Sequence, residues 1–314
     1  LRFGAAFCDG TARNAEKLLE NAVVALDQAR MRGLRYVRFD AANFPDPKVQ
    51  LALTSDIGRG IERGEFSLVY QPKAQARDGR INGAEALIRW RHPEHGNIAP
   101  DKFIQVAEET GAIDDLTRWV LRQAIGDQQT SISAALDAPI SINISGRLLA
   151  NAGFCAAAID AVQEANAKLC FEITETAIIE DPNTALASIA ALRKAGIKIS
   201  IDDYGSGLSS LAYLKQIAAG ELKLDKSIIA DIKTSARDRL ILKSTIDLAH
   251  GLGMSVVAEG VEDEPTRALL AGLGCDTIQG YLVSRPLALA DFVARVSGDD
   301  HSDSTPVRAK FANH

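Results

Sequence analysis

Cysteine is scarce in this sequence and never paired: Cys8, Cys155, Cys170 and Cys275 lie far apart with no C-x-x-C spacing. That excludes a zinc ribbon and a redox dithiol and leaves buried free thiols as the expectation. Positive charge is not in excess either. Lys and Arg total 35 against 41 Asp and Glu, a net charge of -6, so wrapping a nucleic-acid polymer with clustered cations is excluded. No apolar run is long enough to span a bilayer, and no charged start with an apolar middle marks a signal peptide. A cytoplasmic setting is expected. The chain opens on Leu1 rather than Met, which reads as a piece of a longer parent with room for a membrane anchor or sensor region ahead of it. The glycine patterns G-x-G-x-x-G and Walker A are missing. His92, His95 and His250 lack ligand spacing and read as solvated or core histidines.

What remains is a chain of 314 residues, 46% hydrophobic and 24% charged, able to bury a sizeable core as two average domains or as one large barrel with an appendage. Residues 14 to 32 carry apolar positions at helical spacing and Arg35 to Phe39 reads as a short strand, too little to fold alone. The Pro-rich stretch Ala41 to Pro47 has linker chemistry, and a helix is expected from Val49 to Arg63. Eight β-rich runs follow: Ser67 to Gln71, Asn82 to Ile88, Ile140 to Ser145, Leu169 to Thr174, Ile197 to Asp202, Leu222 to Asp225, Ser255 to Glu259 and Thr277 to Tyr281. Helical patterns alternate with them at Pro100 to Thr110, Asp114 to Thr130, Pro182 to Ala195, Asp238 to Leu252 and Glu264 to Leu273. Such alternation predicts an α/β fold, a TIM-like (β/α)8 barrel. Too few residues separate the first two strands for a parallel crossover, so that pair is expected to be antiparallel. The tail from residue 298 to 314 is polar and aperiodic.

A barrel lumen is filled mainly by branched apolar side chains, and here the alternation misbehaves. Ser141, Asn143 and Ser145 share one strand face opposite Ile142 and Ile144; Cys170, Glu172 and Thr174 oppose Phe171 and Ile173; Lys198, Ser200 and Asp202 oppose Ile197, Ile199 and Ile201. Lys223 with Asp225, Ser255 with Glu259, Gly83 with Glu85 and Arg89, and Thr277 with Gln279 and Tyr281 continue the pattern. If the apolar parity packs on helices, the polar parity converges on the barrel axis. A single carboxylate at a strand end is ordinarily a helix cap or a surface ion pair, and Asp202-Asp203 by themselves could merely open the turn Tyr204 to Gly207. A converging set is different. Carboxylates crowded together cannot all ionise without counter-charge, and an all-oxygen ligand set suits Mg²⁺ or Mn²⁺ rather than Zn²⁺.

The tripeptide Glu85-Ala-Leu87 stands in ordered company: Tyr70-Gln-Pro72, Phe103 with Ala107-Glu-Glu-Thr-Gly111, Asn143, Phe171-Glu-Ile-Thr-Glu175, Asp202-Asp-Tyr-Gly-Ser-Gly207, Lys223-Leu-Asp225, Val257-Ala-Glu-Gly-Val-Glu262 and Gln279-Gly-Tyr-Leu-Val-Ser-Arg-Pro286. Over residues 50 to 297 this resembles the EAL domains of cyclic di-GMP phosphodiesterases. The resemblance implies a barrel with an antiparallel first strand and two metal ions per active site. Glu85, Asn143, Glu172 and Asp202 would bind one ion, Asp202, Asp203 and Glu259 would surround the second, and Asp202 would bridge. Lys223 would orient or activate the water, with Glu259 and Gln279 completing the catalytic set. Gln71 and Arg89 would contact the substrate, and the product would be linear pGpG. Glu175 would anchor the loop after the paired aspartates, which leads toward a surface for dimer partners, so a homodimer through the barrel is among the expectations. Tyr204 and Lys226 depart from the commonest pattern, which has Phe and Arg there. Residues 1 to 42 resemble, more weakly, the C-terminal end of a GGDEF domain without its signature loop; 43 to 49 would be the linker, and an adjacent GGDEF or sensor domain would belong to the parent. Two rivals are a non-catalytic cyclic di-GMP receptor and a metal-dependent lyase or isomerase using a Lys base on the same barrel.

Overall fold

The computed structural model describes residues 2–7, 15–31, 35–39, 47–174, 182–205 and 214–298. At the N-terminal end, β1 (Phe3–Ala5) and β2 (Tyr36–Arg38) pair in parallel, with the helix Ala15–Met31 between them in sequence. The short strand expected at 35 to 39 is therefore β2, and β1 is its unforeseen partner.

The barrel follows. Its strands are β3 (Phe66–Gln75), β4 (Ile81–His92), β6 (Ile140–Asn143), β7 (Leu169–Thr174), β8 (Lys198–Tyr204), β9 (Glu221–Leu224), β10 (Ser255–Ala258) and β11 (Thr277–Gln279), while β5 (Gly96–Ile98) adds to β4 outside the ring. From β4 onward each barrel strand pairs in parallel with the next, and β3 closes the ring by pairing antiparallel with both β11 and β4. The reversed hairpin expected from the short connection is present. Its turn is held by Gln75 N–H to the Arg80 carbonyl at 2.8 Å and by the Asp78 carboxylate accepting from the Arg80 amide at 3.0 Å.

Both strand parities are buried, for different reasons. Ile142, Phe171, Ile199, Ile201, Leu222 and Val256 belong to the main apolar cluster with helix residues such as Leu121, Leu192, Leu242 and Ile246. The opposite parity carries the buried polar residues Ser141, Glu172, Ser200, Lys223, Thr277 and Gln279, as the alternation predicts. A second cluster holds the helix Pro47–Glu62 against the hairpin: Leu53 and Ile57 join Phe66, Trp90 and Phe103, with Phe66 stacked on Trp90 at 4.8 Å and Phe103 edge-on to it at 5.7 Å. Each such ring, fully buried, contributes about 1.5–3 kcal/mol.

Three expectations need correction. The helix expected from Val49 starts at Pro47, inside the expected linker, because proline's missing N–H and fixed φ suit the first helical position. The helix expected to run to Thr130 is α-helical over Ile113–Asp127 and widens into a π-helical turn, Gln128–Ile132. There Gln128 turns inward and pairs with the Lys168 backbone twice, donating to its carbonyl and accepting from its amide, both at 2.7 Å. Finally, Tyr281 lies beyond the end of β11 and is 53% exposed rather than in the lumen. Cys155, Cys170 and Cys275 are buried free thiols as expected; Cys8 lies outside the described residues.

Candidate metal centre

Pairing in register, antiparallel between β3 and β4 and parallel elsewhere, sets these side chains beside one another around the C-terminal mouth. Gln71 faces Glu85, Asn143 faces Glu172, and Thr174 faces Asp202. Glu259 follows the end of β10, its amide bonded to the Leu224 carbonyl at 3.1 Å. Beside it the chain at Val261 crosses Gly280 so closely that a Cβ there would sit 2.2 Å from the Val261 oxygen. Only glycine fits at 280, and this crossing is what brings Glu259 and Gln279 to the same mouth. At β8 the register with β9 shifts between Ile201 and Tyr204, and Asp203 takes the left-handed conformation, φ 55°. The irregularity presents Asp202 and Asp203 in succession, and the Asp203 amide donates to Asp202 Oδ1 at 2.9 Å.

Lys223 is the hub of the site and is 1% exposed. Its Nζ lies 2.7 Å from Glu172 Oε2, 2.7 Å from Glu259 Oε1, 3.0 Å from Asp202 Oδ1 and 3.5 Å from Glu85 Oε2. Glu85 also accepts from Asn143 Nδ2 at 2.8 Å and from Gln279 Nε2 at 2.6 Å. Gln279 Nε2 reaches Gln71 Oε1 at 3.2 Å as well, while Gln279 Oε1 is buried with no partner. Burial works against ionisation of Glu172, but Lys223 and Lys73 hold its carboxyl down at about 2. Burial dominates at the others: it raises Glu85 and Asp202 and pushes Glu259 up to about 7. Lys223 is desolvated too, yet Glu172, Glu85, Glu259 and Asp202 carry it well above its ordinary value.

Five carboxylates thus share two lysines, and the deficit of positive charge is the central electrostatic fact of the site. Asp202, Asp203 and Glu259 each offer an oxygen, and these oxygens lie within 4.8 Å of one another. An all-oxygen donor set with a buried, unpartnered Gln279 oxygen fits one or more hard divalent cations. A cavity of about 370 Å³ opens onto this cluster, lined in part by Gln71, Glu85, Asp202, Lys223, Glu259 and Gln279.

The sequence model of the EAL domain matches residues 54–286. The chain belongs to the EAL domain family. It is 35% identical over 303 residues to the bifunctional diguanylate cyclase/cyclic di-GMP phosphodiesterase MucR of Pseudomonas aeruginosa, covering 94% of this chain and 44% of that protein. It is 36% identical over 292 residues to the cyclic di-GMP phosphodiesterase NbdA of the same organism, covering 91% of this chain and 37% of the relative. The chain therefore spans less than half the length of these curated relatives. Among solved structures, a MucR phosphodiesterase in complex with c-di-GMP superimposes with a TM-score of 0.71 at 36% identity, over 77% of this chain and 99% of that one.

Within this EAL domain the expected residues Glu85, Glu172, Asp202, Lys223, Glu259 and Gln279 converge directly, with Asn143 and Gln71 hydrogen-bonded at the edge. Arg89 is half-buried, donates to its neighbour's carbonyl at Ile88 and feels the charge of Glu85. Glu175 lies outside the described residues. His250 pairs with Asp276 at 2.8 Å, and His92 stacks on His95, so neither joins the centre. The residue the sequence reading missed is Lys73. It is buried on β3, and its Nζ donates to Glu172 Oε1 at 2.7 Å. Its signal was the parity of Gln71, two residues earlier on the same strand face.

Proposed function

We propose that this EAL domain hydrolyses cyclic di-GMP to linear pGpG in a reaction that needs two divalent cations, Mg²⁺ or Mn²⁺. The observation that carries the reading is the set of carboxylates around Lys223, with Asp202, Asp203 and Glu259 close enough to share a cation. Glu85, Asn143, Glu172 and Asp202 would hold one ion, and Asp202, Asp203 and Glu259 the other. When bound, such ions neutralise phosphoryl charge and make water a competent nucleophile at neutral pH. In the reaction, water oxygen bonds to phosphorus, one ester P–O bond breaks, and the departing ribose oxygen takes up a proton. Lys223, fixed at 2.7 Å from Glu172 and Glu259, is placed to orient the water and hold charge in the transition state. Gln279 holds Glu85 in place and brings its free oxygen to the site. Gln71, at the rim, is suited to the substrate's guanine or phosphate; Arg89 would have to swing from Ile88 to do the same.

Three wider assignments belong to the same reading. The β1–helix–β2 unit is taken as the end of a GGDEF-like domain in a cytoplasmic parent protein with an adjacent GGDEF or sensor domain. A homodimer through the barrel is supported by the exposed apolar residues Leu240 and Ile241, 68% and 49% exposed on the helix Ala236–Gly251. Glu175 is taken as the anchor of the loop that follows Asp203. Among the described residues no helix is long and apolar enough to cross a membrane.

Incubating the domain with cyclic di-GMP and Mg²⁺ and separating the products tests the central point. Linear pGpG is expected, and its loss on chelation. Tight binding with the cyclic dinucleotide recovered intact would make the domain a receptor, and no binding would remove the assignment.

A further inference from the structure

Beyond holding Glu172 ionised, Lys73 has none of the roles assigned above, yet its side chain is fully engaged. It is 4% exposed, and its three N–H donors go to Ser141 Oγ at 2.9 Å, Glu172 Oε1 at 2.7 Å and Glu221 Oε1 at 3.1 Å. An ammonium has three donors, so none is left over. The reversed direction of β3 makes this possible: Lys73 pairs in register with Gly83 and with Gln279. Glu172 is thereby held at both oxygens, Oε1 by Lys73 and Oε2 by Lys223. Lys223 faces four acidic partners at the C-terminal mouth, where arriving cations compete for the same oxygens. Lys73 stands on the other side, braced by Glu221 and Ser141 at the start of their strands.

We propose that Lys73 is a positioning residue for the metal centre: it fixes one oxygen of Glu172 from the floor of the barrel, so that the other is presented to a cation in a single orientation. This rests on Glu172 being a metal ligand, as in the function proposed above. A carboxylate that must ligate in one geometry needs a partner on its far oxygen, and removing such a partner typically lowers metal affinity or activity by about 10–100-fold. The bland alternative is that Lys73 only supplies counter-charge to a buried acid. The two readings differ in sign. Deleting a positive charge beside a cation site makes cation binding more favourable by Coulomb's law, whereas deleting a positioning contact makes it less favourable.

The experiment is a Mn²⁺ titration of substrate-free protein, followed by the unbound ion's electron paramagnetic resonance, on wild type, Lys73→Met, Lys73→Gln and Glu172→Gln. Thermal melting establishes that each is folded. Lys73→Met is expected to bind Mn²⁺ about 10–100-fold more weakly, with turnover reduced and partly restored by excess Mn²⁺. Lys73→Gln, which loses the same charge but keeps a polar side chain, is expected to weaken binding in the same direction. Unchanged or tighter binding in Lys73→Met overturns the proposal; if that variant does not fold, unchanged or tighter binding in Lys73→Gln overturns it instead. Wild-type affinity in Glu172→Gln would remove the ligand assignment itself, a failure distinct from that of Lys73.

Discussion

At the N-terminal mouth of the barrel a cavity of about 300 Å³ is lined by Lys73, Asn82, Ser141, Cys170, Glu221 and Thr277 among others; at the C-terminal mouth the cavity is about 370 Å³. Both are polar and both interrupt what would otherwise be an apolar lumen. At the first, the buried charges are matched: Glu221 meets Lys73 at 3.1 Å, Asn82 Nδ2 meets Thr277 Oγ1 at 3.0 Å although Asn82 Oδ1 stays unpartnered, and the cations Arg193 and Lys198 line the same cavity. At the second, Glu85, Glu172, Asp202 and Glu259 crowd one lysine. A polar interior is therefore no mark of chemistry. Uncompensated charge is, because burial makes it costly unless something arrives to neutralise it.

The sharpest way to break that contrast is to remove charge at one mouth and compare the other. Asp202→Asn should lower turnover by about 10³-fold or more, the equivalent of several kcal/mol of charge stabilisation, as read by initial rates of pGpG release. Near-wild-type rates would end the assignment of this mouth. Lys223→Met should cost about 10²-fold or more in turnover while Mn²⁺ binding persists; equal losses of substrate binding and rate would make Lys223 an anchor instead.

A pH series sharpens the same comparison through stability. Glu259 has its carboxyl raised from 4.5 to about 7 in the fold, so the folded state keeps a proton that the unfolded chain has released. That contribution is present below 4.5 and is lost as pH rises through about 7. Glu172 works the other way: lowered to about 2, its contribution is present above 4.5 and is lost as pH falls toward about 2. Metal-free protein should therefore melt highest near about pH 5 and lose melting temperature toward neutrality, and Mn²⁺ should abolish that decline by displacing the proton. A flat metal-free profile would mean that the C-terminal mouth is no more strained than the other. The smallest effect is expected at the N-terminal mouth itself, where Ser255→Ala, remote from the carboxylates, should change turnover by less than about 2-fold, within the range of ordinary surface substitutions.

The strand parities of Ser141–Asn143, Cys170–Glu172 and Ser200–Asp202 made the polar lumen readable before any coordinates, because period-two alternation decides which side chains share a face. The reversed first hairpin was readable from a connection too short to cross over. Lys73 was not, because Pro72 is a residue that ordinarily ends a strand. In the fold Pro72 sits within β3, facing Ala84 on β4, and the strand continues to Gln75. Nor was β1, a three-residue strand whose partner lies across an entire helix. The π-helical turn at Gln128 escaped for a related reason: its cause is a backbone forty residues away, at Lys168, which no local pattern encodes.

The left-handed backbone at Asp203 has an evolutionary corollary. Few side chains tolerate that conformation; Asp, Asn and Gly do, and longer or branched ones pay in strain. The alphabet available at this position is thus nearly limited to one charged letter and two neutral ones. A lineage that drifted from Asp to Asn here would leave the barrel's outline undisturbed while subtracting charge from the mouth. The conformation that helps assemble the centre also leaves open a structurally silent path by which a hydrolase of this architecture could become a sensor that retains its ligand uncleaved.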